Sequence, residues 1–234
     1  MLGPVSMSPR STPRRQRGLL LIELMIALVL GLFIVGSAST LLVSYLGEHR
    51  AALIDSRLMQ DLRASTDLVT RDLRRAGYWG TPGAALWYPG TPGVIANPYA
   101  AVAPATAASD AVSFRFSRDS TENSLVDSNE QFGFRLHKGV VEMLLGSGNW
   151  QAMTDSGTMV VQSFSVAPTV REIALDAVCD KPCLSGDNEC MPRQQLRSLA
   201  ISITAHAVAD ASVARSLRSE VRLRNDAVIG TCPV

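Results

Sequence analysis

Histidine is scarce in this chain of 234 residues: only His49, His137 and His206 occur. There is no paired-His metal motif, no Gly-x-Ser-x-Gly elbow and no glycine loop of the kind that cradles phosphate. The usual constellations for nucleophilic, metal-assisted and phosphoryl chemistry are therefore missing, and neither enzymatic activity nor a cofactor is expected. Aromatics make up 6% of the residues, and none is interleaved with the basic runs at Arg71, Arg74 and Arg75 or at Arg218, Arg222 and Arg224. Glu220 lies within the second run, which reads as a solvated strand face, so nucleic acid is not an expected partner. No acid precedes Glu23, and no cysteine precedes Cys179.

The stretch in which charge is most nearly absent organises the chain. Arg14-Arg15-Gln16-Arg17-Gly18 is followed, from Leu19 to Leu46, by residues that are apolar or small except for Glu23. As a helix this run exceeds the roughly 20 residues needed to cross a hydrocarbon core of about 30 Å. The arginines before it hold that end on the cytoplasmic side and send everything after Leu46 across the membrane. An ordinary secretory signal would be shorter, with its cleavage site after the apolar core. Glu23 is the anomaly, because an acid deep in a membrane helix costs about 3 kcal/mol on insertion scales. It predicts a positive partner.

Arg10, Arg14, Arg15 and Arg17 supply the excess of base, and without them the formal charge of +1 becomes about −3. With 47% hydrophobic residues, the length accommodates one membrane helix and one globular domain. The sequence leaves open a start at Met1 or at Met7.

The helical pattern continues past the apolar run. Ile54, Leu58, Leu62, Ser65, Val69, Leu73 and Ala76 recur at intervals of four or three, which traces one stripe on a helix, with charged residues between them. One helix is predicted from Leu19 to about Ala76, closed by Gly77 as a left-handed cap, with Arg71, Arg74 and Arg75 in its last turn. Residues 81–110, rich in Pro, Gly and Ala, read as an irregular connection. Alternation then predicts strands at Val112 to Phe116, Phe132 to Leu136, Val140 to Leu145, Val160 to Val166, Leu199 to Ala207 and Leu217 to Leu223, and a short one at Ile173 to Val178.

Cys179, Cys183, Cys190 and Cys232 lie in the segment placed outside the cytoplasm, where an even count favours disulfides. Their spacing is a poor match to paired zinc knuckles, and Asp187, Asn188 and Glu189 lack the ligand spacing of a calcium loop, so no metal is expected. Three pairings are open. The preferred one joins Cys179 to Cys183 and Cys190 to Cys232, the latter closing a loop of about 40 residues.

Gly18-Leu19-Leu20-Leu21-Ile22-Glu23-Leu24 after a short Arg-rich leader resembles the class III signal of type IV pilins and type II secretion pseudopilins. Leu19 stands where that signal usually has Phe. Arg71 to Gly80 and Val221-Arg222-Leu223-Arg224-Asn225 resemble the corresponding stretches of PilW-type minor pilins, and the first of them, less closely, the J-type minor pseudopilins. The resemblance implies that prepilin peptidase cuts between Gly18 and Leu19 and methylates the Leu19 amine. It also implies that Glu23 pairs with the terminal amine of a neighbouring subunit.

The resulting expectation is an α+β pilin-like fold. Residues 1–18 form a leader, 19–46 a transmembrane and filament-core helix, 47–77 its amphipathic continuation, and 78–234 a head of antiparallel β-sheet with a disulfide region. The expected function is that of a minor pilin helping to start type IV pilus assembly, in the inner membrane and then at the cell surface. Its partners would be other minor pilins, the major pilin, prepilin peptidase, the inner-membrane assembly platform and inner-membrane lipid. The alternatives are a minor pseudopilin of a type II secretion system and a membrane-tethered binding protein.

Overall fold

The structure, a computed structural model, describes residues 20–85, 96–182, 192–230 and 232. It is an α+β chain: one long N-terminal helix, α1, spans Leu21–Leu73 and is followed by antiparallel strands. The chain divides into two units, Met1–Arg50 and Ala51–Val234.

Among the described residues of the first unit, α1 has no fold of its own to pack on, and the large apolar residues from Leu20 to Leu46 are exposed. In the second unit the helix behaves differently. Leu58, Leu62, Ser65, Val69 and Leu73 are buried, as is Ala76 just beyond the helix, and Ile54 packs against the same core at its edge. These are the residues whose three- and four-residue spacing aligns them on one face. Thr66 and Thr70 widen that face. Each hydroxyl bonds a carbonyl of the preceding turn, Leu62 O at 2.8 Å and Asp67 O at 3.0 Å, so it can be buried without a partner from elsewhere.

The helix stops three residues short of the predicted end. Residues 74–77 form a turn, and Gly77 adopts φ 74°, a left-handed conformation that costs glycine little. Its N–H bonds Arg115 O at 2.8 Å, which begins the attachment of the helix end to the strands.

Among the described residues nine strands follow: β1 (Val102–Ala103), β2 (Ala111–Arg115), β3 (Gln131–His137), β4 (Val140–Leu145), β5 (Trp150–Ala152), β6 (Met159–Ala174), β7 (Arg193–Ala207), β8 (Ala214–Arg222) and β9 (Ala227–Ile229). They make two antiparallel sheets. The first has the order β1-β2-β3-β4-β5; in the second β7 lies between β6 and β8 and also pairs with β9. Ser109 and Val166 exchange backbone bonds of 3.0 and 2.8 Å, which join the two sheets.

Inward-facing residues of both sheets meet the helix stripe in one core. From the first sheet come Val112, Phe114, Phe132, Phe134 and Val141, and from the second Val161, Phe164, Leu199, Ile201, Ile203 and Val221. Phe116 and Phe132 stack with centroids 4.0 Å apart, and the Arg75 guanidinium lies 4.1 Å from the Phe116 centroid. On the outer face of the first sheet, Trp150 lies over Gly133. A Cβ on Gly133 would come within 2.6 Å of Val112 O, so only glycine lets β2 and β3 pair there.

Two further expectations change. The short strand at Ile173 to Val178 is instead the end of β6, which continues to Ala174, and residues 176–178 form a 3-10 turn. The distal half of β6 is exposed on both faces, so no alternation marks it as strand; pairing with β7 along its whole length holds it extended. The disulfide also differs. Cys179 bonds Cys232, with Cα atoms 5.4 Å apart and a sequence separation of 53, rather than Cys179 with Cys183 and Cys190 with Cys232. The reason is spatial: the turn after β6 and the chain after β9 leave the same end of the second sheet, because β7 pairs with both. Cys183 and Cys190 lie outside the described residues.

Candidate functional site

The residues that carry the expected function sit at the start of α1. Glu23 is in its first turn, where the N–H groups favour a carboxylate, and its own N–H bonds Leu20 O at 2.9 Å. Its side chain is exposed and, among the described residues, has no ion-pair partner. Gly18 and Leu19 lie outside the described residues. Around and after Glu23, α1 presents apolar side chains on all sides, among them Leu24, Met25, Leu28, Phe33 and Leu41, each more than half exposed. It is long and apolar enough to cross a membrane. A helix that is apolar all round requires a covering of lipid or of other helices.

A second group of residues fastens the end of α1 to the strands. The Asn225 side chain donates to Ala76 O at 3.0 Å, and the Asn97 side chain donates to Gly77 O at 2.9 Å. Two carbonyls that the helix end leaves without partners are thus satisfied from distant parts of the chain. Arg197, on β7, donates to Asn225 O at 3.0 Å and to Ala100 O at 2.6 Å. Burial pushes its pKa down from the ordinary value, while the nearby Asp226 carboxylate opposes that shift. The stretches Arg71 to Gly80 and Val221 to Asn225 therefore touch. Their role as a joint has no local pattern in sequence, because Asn97, Arg197 and Asn225 become partners only through the fold.

A third group lies beside this joint. Tyr99 is wholly buried, and its hydroxyl is 2.8 Å from Leu125 O and 3.0 Å from Glu130 Oε2. Burial first, and then the Glu130 carboxylate, push the Tyr99 pKa above its ordinary value, so it remains a proton donor. Glu130 is also wholly buried and accepts the backbone N–H of Arg118 at 2.6 Å and of Asp127 at 2.9 Å.

The histidines do not gather. His137, on β3, lies 3.0 Å from a Glu142 oxygen, while His206 is on β7 in the other sheet.

A family model described as PpdB, prepilin peptidase-dependent protein B, matches residues 51–223, nearly the whole of the second unit. Searches of curated proteins and of solved structures find no match. With most of its length matched, and with a long apolar helix in front of antiparallel sheets, the chain belongs to the family of prepilin peptidase-dependent protein B, whose members are related to type IV pilins.

Proposed function

We propose that this chain is a minor pilin of the PilW type that takes part in initiating type IV pilus assembly together with other minor pilins and the major pilin. Residues 1–18 are its leader, prepilin peptidase cuts between Gly18 and Leu19, and the mature chain waits in the inner membrane with its head on the outer side. The observation that carries this reading is the apolar surface of α1 from Leu20 to Leu46, interrupted by the single acid Glu23, in a family named for its dependence on prepilin peptidase. Lipid covers that surface before assembly, and neighbouring pilin helices cover it in the filament.

Glu23 then has a physical role. Near the end of a membrane helix its carboxylate is tolerated, but on leaving water it gains from a cation, and the amine of Leu19 on a neighbouring subunit is one. A low dielectric strengthens that attraction, so pairing sets the register between subunits. The head carries no catalytic assignment in this reading; it is a structural and contact module.

Mass spectrometry of the protein isolated from cells tests the processing step, and the expected mature chain begins with methylated Leu19. A chain that still begins at Met1 or Met7 overturns it. Glu23→Leu tests the assembly step: cleavage and membrane insertion persist while piliation falls, and normal piliation refutes the pairing role. A deletion strain that loses protein export but keeps pilus-dependent motility would assign the chain to type II secretion instead.

A further inference from the structure

The edge strands of a sheet carry outward N–H and C=O groups that pair with another strand unless something covers them. In the first sheet the edges are β1 and β5, two and three residues long, too short to template a further strand. In the second sheet the first part of β6 is covered, by Ser109 at Val166 and by the Gly139 carbonyl at Val161. Residues 167–174 of β6 and the whole of β8 have, among the described residues, a strand on one side only.

The ladders show which backbone groups of these edges point outward. Val166 gives both its N–H and its C=O to Ser109, whereas Leu223, just past β8, gives its N–H to Arg197 of β7. Backbone groups alternate sides along a strand. The free ones therefore belong to even-numbered residues: on β6 the Pro168 carbonyl and the groups of Val170, Glu172 and Ala174, and on β8 those of Arg218, Glu220 and Arg222.

Both edges run in the direction of α1. Arg215, near the start of β8, lies 2.8 Å from Asp55, and Asn225, beyond its end, reaches Ala76 at 3.0 Å. β6 shares that direction, because it and β8 are both antiparallel to β7. A ladder between the β8 strands of two copies related by a twofold axis would be antiparallel, so the two α1 helices would point in opposite directions and could not enter one membrane. A ladder between β8 of one copy and β6 of the next is parallel and keeps the helices in one direction.

Charge selects a single register for that ladder. Glu220 and Arg171 are exposed on the outer face, and neither makes an ion pair among the described residues. Setting Glu220 beside Arg171 puts Arg218 beside Thr169 and Arg222 beside Ile173. A slip of two residues either way sets Arg218 or Arg222 against Arg171, and a slip of one turns the outer face inward. The same register uses every free group from the Pro168 carbonyl to the Ala174 N–H, with the missing proline N–H falling at the end of the ladder. It also covers Val170 and Ile173, apolar side chains that are 44% and 40% exposed.

We propose that β8 of one copy adds in parallel to residues 168–174 of β6 in a second copy, so that heads associate edge to edge. The contact rests on the reading of α1 as a membrane helix, which fixes the common direction. The charges along β8 deter strands that do not match them, which gives the contact its specificity.

The test uses the full chain in detergent micelles, produced in one cell with two different affinity tags, and measures recovery of the second tag on a matrix for the first. Wild-type copies are recovered together. Glu220→Arg in both copies, or Arg171→Glu in both, lowers recovery about fivefold, as a cross-strand attraction becomes a repulsion. The two reversals in the same chain restore it to within about twofold. Val170→Pro removes an outward N–H while leaving the pairing with β7, and lowers recovery with unchanged near-ultraviolet circular dichroism. Absence of joint recovery of the wild-type chain, recovery indifferent to any of the three single changes, or a paired reversal that fails to restore it would each overturn the contact. Recovery is read without pili, so these outcomes are separate from processing at Gly18 and from the effect of Glu23→Leu on piliation.

Discussion

Glu142 shows how much of this head is decided by one side chain among its neighbours. On β4 it stands opposite Arg135 of β3, whose guanidinium approaches to 2.7 Å, and His137 lies 3.0 Å from its other oxygen. The hydrogen bond from Arg135 and then that from His137 hold its pKa below the ordinary carboxyl value, against a smaller opposing effect of burial. A carboxyl depressed in the folded state adds stability that is present above its unfolded pKa, about 4.3, and is lost as the pH falls through the lower folded value. The wild-type Tm should therefore drop more steeply than that of Glu142→Gln between about pH 4.5 and pH 3, with the two curves converging at the acid end. Parallel curves in a calorimetric pH series would show that the contact carries no such linkage. Arg135 also lies 4.0 Å from the Trp150 ring centroid, a second contact that no spacing in the sequence announces.

Among the elements, α1 was the most legible. The stripe from Ile54 to Ala76 could be read because a helix repeats its faces every three or four residues, and the same residues line the core. Leu62 has no exposed surface. Leu62→Ala should cost about 2–5 kcal/mol in chemical denaturation, whereas the neighbouring exposed Arg63→Ala should stay within about 0.5 kcal/mol. Similar losses for the two would mean that the helix does not pack by this face. Among the strands, β4 was readable to its ends, Val140–Leu145, because one of its faces is core. β1, β5 and β9 were not, since two or three residues are too few to show a period of two. The distal half of β6 escaped for the opposite reason, being long but solvated on both faces.

In the molecule as a whole, closure depends on pairs far apart in sequence. The bond between Cys179 and Cys232 closes a loop of 53 residues around β7, β8 and β9, a constraint on the unfolded chain worth about 4 kcal/mol in the loop-entropy model. Replacing both cysteines by serine should lower the stability of the head by about 2–4 kcal/mol while leaving the helix signal of α1 largely intact. An unchanged denaturation midpoint would show that β7 pairing with β9 holds the tail without the bond.

By itself the sequence determined the long helix, the uniformly apolar character of its first half, the isolated acid in its first turn and the alternating strands of the head. Each of these is a local pattern, either an apolar run long enough to cross a membrane or the repeat of a helix or strand against one core. The tertiary structure alone decided the division into two sheets, the partner of Cys179, the knot of Asn97, Arg197 and Asn225 on the helix end, and the burial of Glu130 beneath Tyr99. Those depend on which distant segments are brought side by side, and backbone pairing carries no side-chain code that a single sequence displays.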